Sequence, residues 1–131
     1  MLLYATDAGE VTQRLQKVIG NHVIDEKVEF YQTIEFLTQR LRKPMGDIKI
    51  AVILAADRND LLEIFTIREL LDNVRTLLIL PDKNDDTIAK GHNLRPRYIS
   101  FVDSDFRDIS AVLSKMLGNG YDKGSKKRND K

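Results

Sequence analysis

The sequence predicts an α/β fold built on one parallel sheet, and three observations favour that class. Short aliphatic runs alternate with longer amphipathic segments over residues 1–118. The most apolar run, residues 48–54, is rich in β-branched residues and opens into a polar turn, which is typical of a strand covered on both faces. The links are short, as expected for parallel strands joined by crossover helices. We therefore expect one domain with helices on both faces of the sheet.

The first third of the chain predicts two strand–helix units. Residues 2–5 form a short apolar strand, and apolar residues at helical spacing over 11–19 predict the helix that follows. Residues 22–31 include an alternating apolar and polar segment that fits an edge strand. Apolar positions over 34–41 predict the second helix, which Pro44 ends.

The central strand is followed by a third predicted helix, residues 60–71. Asp60 and Glu63 have the spacing of a capping box, so Asp60 is expected to cap this helix. A second continuous apolar run, residues 76–80, predicts the fourth strand, which Pro81 stops.

The last third predicts a polar connection and one more strand–helix unit. Residues 82–93 indicate a loop with a short helix, residues 98–102 a fifth strand, and residues 103–117 a final helix. Five strands thus alternate with five helices, and their spacing is compatible with the flavodoxin-like strand order 2-1-3-4-5. Chemistry is then expected at the carboxyl ends of the first and third strands, where the strand order reverses.

Composition narrows the classes of function. The chain has 131 residues, a net charge of +1 and no cysteine, which excludes a disulfide framework, a thiolate metal site and a cysteine nucleophile. No apolar run approaches the roughly 20 residues of a membrane helix, and the start lacks the basic region of a signal peptide. These features predict a cytoplasmic protein without membrane contact.

The end of the chain differs from the rest in charge. Residues 118–131 hold five basic and two acidic residues, whereas the preceding part holds 16 basic and 18 acidic residues. This composition predicts a disordered basic tail over 119–131, following a domain over 1–118. We favour a solubilising end over weak attachment to nucleic acid or an acidic surface, and the near-neutral body argues against nucleic acid as the main partner.

The arrangement resembles a response-regulator receiver domain over about residues 1–118. The resemblance implies a phosphorylation pocket, in which two acids after the first strand hold Mg²⁺ and an aspartate after the third strand accepts the phosphoryl group. Thr6 and Asp7 occupy the positions of the acid pair, so one acid remains. Ala55 occupies the position of the acceptor, and Asp57 lies two residues later.

Two further positions of the implied pocket also lack the side chains that phosphorylation needs. The resemblance implies a hydroxyl at the end of the fourth strand and a lysine in the fifth, where this chain has Leu80 and Phe101. Tyr98 matches the aromatic residue that receivers carry in the fifth strand. The chain thus resembles a pseudo-receiver, which implies a signalling or adaptor module of the two-component type that is not an enzyme and needs no cofactor.

Receivers commonly meet partners, or their own copies, through the fourth helix and fifth strand. Here this surface would include His92, Arg95, Arg97 and Tyr98, and arginine and tyrosine often anchor interfaces. We expect a protein partner or a homodimer at this surface. A solvated loop before a strand is the alternative interpretation of the same residues.

A second hypothesis places a ligand-binding or catalytic site at the carboxyl edge of the sheet. Asp7, Asp57 and Asp103 would then serve a small ligand or a Mg²⁺-dependent phosphoryl transfer. Asp103 lies where acids also favour a helix start, which is the interpretation we prefer. His22 and His92 have no evident second ligand, so no metal site is expected, and Asp7 is the remaining metal candidate.

Overall fold

The computed structural model describes residues 1–22 and 28–117, which form a three-layer α/β fold. The strands are β1 (Leu2–Tyr4), β2 (Glu29–Tyr31), β3 (Ile50–Leu54), β4 (Arg75–Leu80) and β5 (Tyr98–Phe101). The helices are α1 (Glu10–Gly20), α2 (Ile34–Leu41), α3 (Arg58–Thr66), α4 (Arg68–Leu71), α5 (Asp85–Asn93) and α6 (Arg107–Leu117). The predicted tail, 119–131, lies outside the described residues, as does part of the segment predicted as the second strand.

All strand pairs in the described sheet are parallel, and the strand order is β2-β1-β3-β4-β5. The predicted fold class and strand order are thus confirmed. Because β3 lies in the middle, its successive side chains enter two different apolar layers. Ala51, Ile53 and Ala55 pack in the layer of α2, α3, α4 and α5, whereas Val52 and Leu54 pack in the layer of α1 and α6.

The segment after β3 differs from the prediction in two ways. The single predicted helix is divided into α3 and α4 at Ile67, whose φ of −110° and ψ of 21° interrupt the helical path. The predicted cap at Asp60 is wrong: Asp57 is the N-cap, and its Oδ1 accepts a hydrogen bond from the Asp60 backbone N–H at 2.8 Å. The chain stays extended through Asp57, so the helix starts before Asp60 and places it in the first turn.

Helix α5 is longer than the short helix predicted within residues 82–93. It packs closely on β4 through Gly91, where an added Cβ would lie 2.9 Å from Leu80 Cδ1. The absence of a side chain at Gly91 therefore lets α5 cover Leu80. None of the described helices has the length and apolar character needed to cross a membrane.

Candidate functional site

The carboxyl ends of β1 and β3 are joined by one buried carboxylate. Asp60 Oδ2 accepts a hydrogen bond from Thr6 Oγ1 at 3.0 Å and another from the Ala56 backbone N–H at 3.0 Å. Only 7% of Asp60 is exposed, and it lies in the first turn of α3. The structure thus brings Thr6 together with Asp60, a residue that the sequence analysis assigned only to helix capping.

Asp7, the remaining metal candidate, lies in the turn that leads into α1. Its Oδ1 accepts hydrogen bonds from the Gly9 backbone N–H at 3.0 Å and from Thr12 Oγ1 at 3.3 Å. The residue is exposed, whereas Thr12 is buried. Asp7 therefore fixes the start of the helix through local contacts.

The acceptor position of the receiver-like pocket lies inside an apolar layer. Ala55 is fully buried, and its N–H donates to Ile79 O at 2.9 Å, which continues the pairing of β3 with β4. Asp57 lies beyond it, where its side chain caps α3. A methyl group thus occupies the position where the resemblance implies a nucleophile.

The two large apolar residues of the implied pocket pair across β4 and β5. Leu80 is opposite Phe101 in the register, and Leu80 is fully buried against α5. The Lys83 ammonium lies 5.2 Å from the centroid of the Phe101 ring and 3.7 Å from Asp103 Oδ2. Phe101 therefore lies beneath a cation that is already paired with an acid.

Further acids at this edge are paired within the molecule. Asp82 accepts from Arg58 Nε at 3.2 Å, and Asp105 pairs with Arg107 at the same distance. The pKa of Asp82 lies below its usual value because Thr87, the Asn84 N–H and Arg58 all donate to its carboxylate. Among the described residues, no three histidines or acids converge in a way that would hold a metal ion.

The residues of the predicted partner surface lie in three places. Tyr98 packs in the layer of α1 and α6, and its hydroxyl donates to Asp108 Oδ2 at 3.0 Å. His92 is exposed on α5. Arg95 and Arg97 instead face the amino edge of the sheet, the edge opposite to the implied phosphorylation pocket.

At the amino edge lies an open cleft of about 760 Å³. Arg95 and Arg97 line it together with Lys49 and Arg75, two residues that the sequence analysis did not single out. A signal for them was present, since a cation lies directly before β3, at the first position of β4 and directly before β5. The structure therefore offers two candidate sites: a carboxyl edge whose acids have partners, and a cationic cleft.

The fold can be compared with known proteins. No family model matches the chain, and neither does any curated protein. Among solved structures, a protein of Burkholderia pseudomallei described as related to pilus assembly is similar at a TM-score of 0.65 and 18% sequence identity, over 88% of this chain and 87% of that chain. At this identity the likeness shows the fold alone. The chain has a receiver-like, flavodoxin-like α/β fold.

Proposed function

We propose that this chain is a receiver-like adaptor that acts through contacts with other proteins and is not phosphorylated on aspartate. The observation that carries the proposal is the buried methyl group of Ala55 at the end of the central strand, inside an apolar layer. Phosphoryl transfer to a receiver needs a carboxylate nucleophile and a divalent cation that offsets the charge on the phosphoryl oxygens. An alanine side chain provides neither a nucleophile nor a ligand for the cation.

The roles of the neighbouring acids support the same conclusion. Asp57 accepts a backbone hydrogen bond at the start of α3, and Asp60 accepts hydrogen bonds from the ends of β1 and β3. Attack on phosphorus through the second oxygen of such a carboxylate would draw negative charge from the oxygen that accepts these bonds and would weaken them. Each such bond to a charged group contributes about 1.5 to 3 kcal/mol.

Protein contact is the role that remains for such a scaffold. We expect it at α5, which is the fourth of the five predicted helices, and at β5, because β5 is an edge strand and α5 presents His92 to solvent. An unpaired sheet edge is a surface on which another chain can dock. A second copy of this chain docking there is one form of the proposal.

The experiment is thermal unfolding with and without Mg²⁺ and beryllofluoride, which mimics a phosphoryl group on aspartate. We expect an unchanged melting temperature, because no acceptor carboxylate is available at Ala55. A saturable rise in melting temperature would favour the alternative, a Mg²⁺-dependent or ligand-binding protein.

Incubation with acetyl phosphate followed by intact-mass measurement is the covalent counterpart. We expect no added phosphoryl mass. Added mass on the wild type that disappears in Asp57→Asn or Asp60→Asn would overturn the proposal and identify the acceptor. Asp72→Asn, which makes the same change at an exposed acid of the amino edge, is the matched control variant.

A further inference from the structure

A row of cations follows the amino ends of three neighbouring strands. Lys49 lies directly before β3, Arg75 begins β4, and Arg97 lies directly before β5. Backbone hydrogen bonds join Arg75 N to Lys49 O at 3.1 Å and Arg97 N to Thr76 O at 2.8 Å. Because neighbouring strands lie about 4.8 Å apart, the three residues start close together at this edge. Alternation along the strands places Arg75 on the face opposite to Lys49 and Arg97, and all three border the cleft at the strand ends.

These three side chains and Arg95 line the 760 Å³ cleft, in which Asp72 is the one acid among the described lining residues. None of the four cations makes an ion pair with a described residue. Like charges held side by side repel each other. The cleft therefore favours an anionic ligand supplied by another molecule.

The backbone at Arg95 supports a role for this side chain. Arg95 follows the C-cap residue of α5 and has a φ of 54°, in the left-handed region. Glycine or asparagine usually occupies this position, since a larger side chain crowds the backbone there. An arginine held in such a conformation, with its side chain at the cleft, is the kind of strained position that marks functional sites.

A second copy of this chain offers no run of more than two free acids among its described residues, because the exposed acids without an ion pair to a described residue are spread over four helices and several loops, and include Glu35, Glu63, Glu69, Asp85 and Asp86. Asp82, Asp103 and Asp105 each pair with a cation of their own molecule. Asp57 and Asp60 are held in backbone hydrogen bonds. The matching anions are therefore expected on a different molecule.

We propose that this amino-edge cleft binds a carboxylate-rich segment of a partner protein, an inference that rests on the proposed protein-contact function. Three of its four cations are arginines, whose planar guanidinium groups bind carboxylates in a bidentate manner. The aliphatic lining can pack against apolar side chains of the same segment, and consists of Met45, Ile48, Leu71 and Val74.

The cleft fits other anions less well. Small-molecule pockets enclose most of their ligand, whereas this cleft is open to solvent. Single-stranded nucleic acid is usually stacked on aromatic side chains, and none is present among the described lining residues.

The experiment measures binding of a labelled synthetic peptide of alternating glutamate and leucine by fluorescence anisotropy. We expect saturable binding that weakens with salt, and a loss of about threefold in affinity for one cation removed, as for an exposed ion pair. Arg75→Gln, Arg97→Gln and Arg95→Gly combined should lose on the order of thirtyfold if the effects add. Lys17→Gln, an exposed cation on α1, should bind as the wild type does.

The Arg95→Gly variant separates a loss of binding from a loss of folding. Glycine suits the left-handed backbone, so this variant should melt no lower than the wild type while it loses affinity. Equal binding by the triple variant, or an equal loss in Lys17→Gln, would overturn the proposed cleft. So would tighter binding of charge-matched oligothymidine or of phosphatidylglycerol vesicles. Phosphoryl mass from acetyl phosphate would instead overturn the proposed function and leave the cleft measurement intact.

Discussion

The two edges of the sheet differ in whether their charged side chains have partners within the molecule. At the carboxyl edge, Asp60 joins two strand ends and Asp82 pairs with Arg58. At the amino edge, Arg75 and Arg97 line one cleft without an ion pair to a described residue. Charges that are satisfied internally support the fold, whereas charges left exposed together remain free for a ligand.

This comparison reverses the usual expectation for an open parallel sheet. Ligands of such sheets generally bind outside the carboxyl ends of the strands. In this chain that edge is covered by apolar packing at Ala55 and Leu80. The same scaffold thus leaves its amino edge as the place with unused charge.

The largest expected effect comes from restoring a hydroxyl at the carboxyl edge. Leu80→Thr should lower the free energy of unfolding by about 3 kcal/mol, because it removes buried aliphatic volume and adds a polar group to an apolar layer. Leu80 is fully buried, and its methyl groups pack against α5 at Gly91. Urea denaturation measures the change.

Leu62→Thr is the matched control for this substitution. Leu62 lies on α3 and is 49% exposed, so the same change should cost less than about 1 kcal/mol. Equal losses at the two positions would mean that the carboxyl edge is not covered as described, and that a ligand has room there.

The sequence was sufficient to predict the sheet but not the use of its acids. Continuous apolar runs such as residues 48–54 identify buried parallel strands, because covering both faces requires apolar side chains at every position. The N-cap of α3 depends on where the extended chain after β3 turns into the helix. Both Asp57 and Asp60 are residue types that fit a helix start, and they are three residues apart. Only the structure places Asp60 beside Thr6.

The amino-edge cleft was harder to predict, because its cations are far apart in the chain. Lys49 and Arg75 become neighbours only when β3 pairs with β4 in the observed register. Each looks like an ordinary solvated charge at a strand start. Arg95 and Arg97 were predicted as partner-surface residues, but with Tyr98, which instead packs in the layer of α1 and α6.

A smaller effect of opposite sign is expected at the amino edge. Arg95→Gly should raise the free energy of unfolding by about 0.5 to 1 kcal/mol, because glycine removes the cost of the left-handed conformation. Arg97→Gly should lower it by a similar amount of about 0.5 to 1 kcal/mol, through the added freedom of the unfolded chain. Arg95 has a φ of 54° and Arg97 has no positive φ. A destabilised Arg95→Gly variant would show that this arginine supports the fold and is not reserved for a ligand.

The smallest effect tests an internally satisfied acid through its pH dependence. Burial raises the pKa of Asp108, but the nearby Ser100 hydroxyl and hydrogen bonds from Tyr98 and Ser104 outweigh it and hold the pKa below the usual value. A lowered pKa means that Asp108 stabilises the fold above the unfolded-state pKa of about 3.9. This contribution is lost as the pH falls through the pKa of the folded state. Tyr98→Phe should therefore cost less than about 1 kcal/mol at neutral pH, and less still in acid.

Tyr4→Phe is the control, since the Tyr4 hydroxyl is buried and has no hydrogen-bond partner among the described residues. Burial, with a smaller contribution from Asp60, raises the pKa of Tyr4 to about 12, so its hydroxyl stays neutral throughout the acid titration. Removing this hydroxyl should leave the decrease in the free energy of unfolding at low pH unchanged. It should not lower stability at neutral pH, because a buried hydroxyl without a hydrogen-bond partner is costly. If Tyr98→Phe and Tyr4→Phe gave the same pH profile, the pKa of Asp108 would not depend on the Tyr98 hydrogen bond. Asp108 would then behave like the unpaired charges of the amino edge, and the contrast between the two groups would fail.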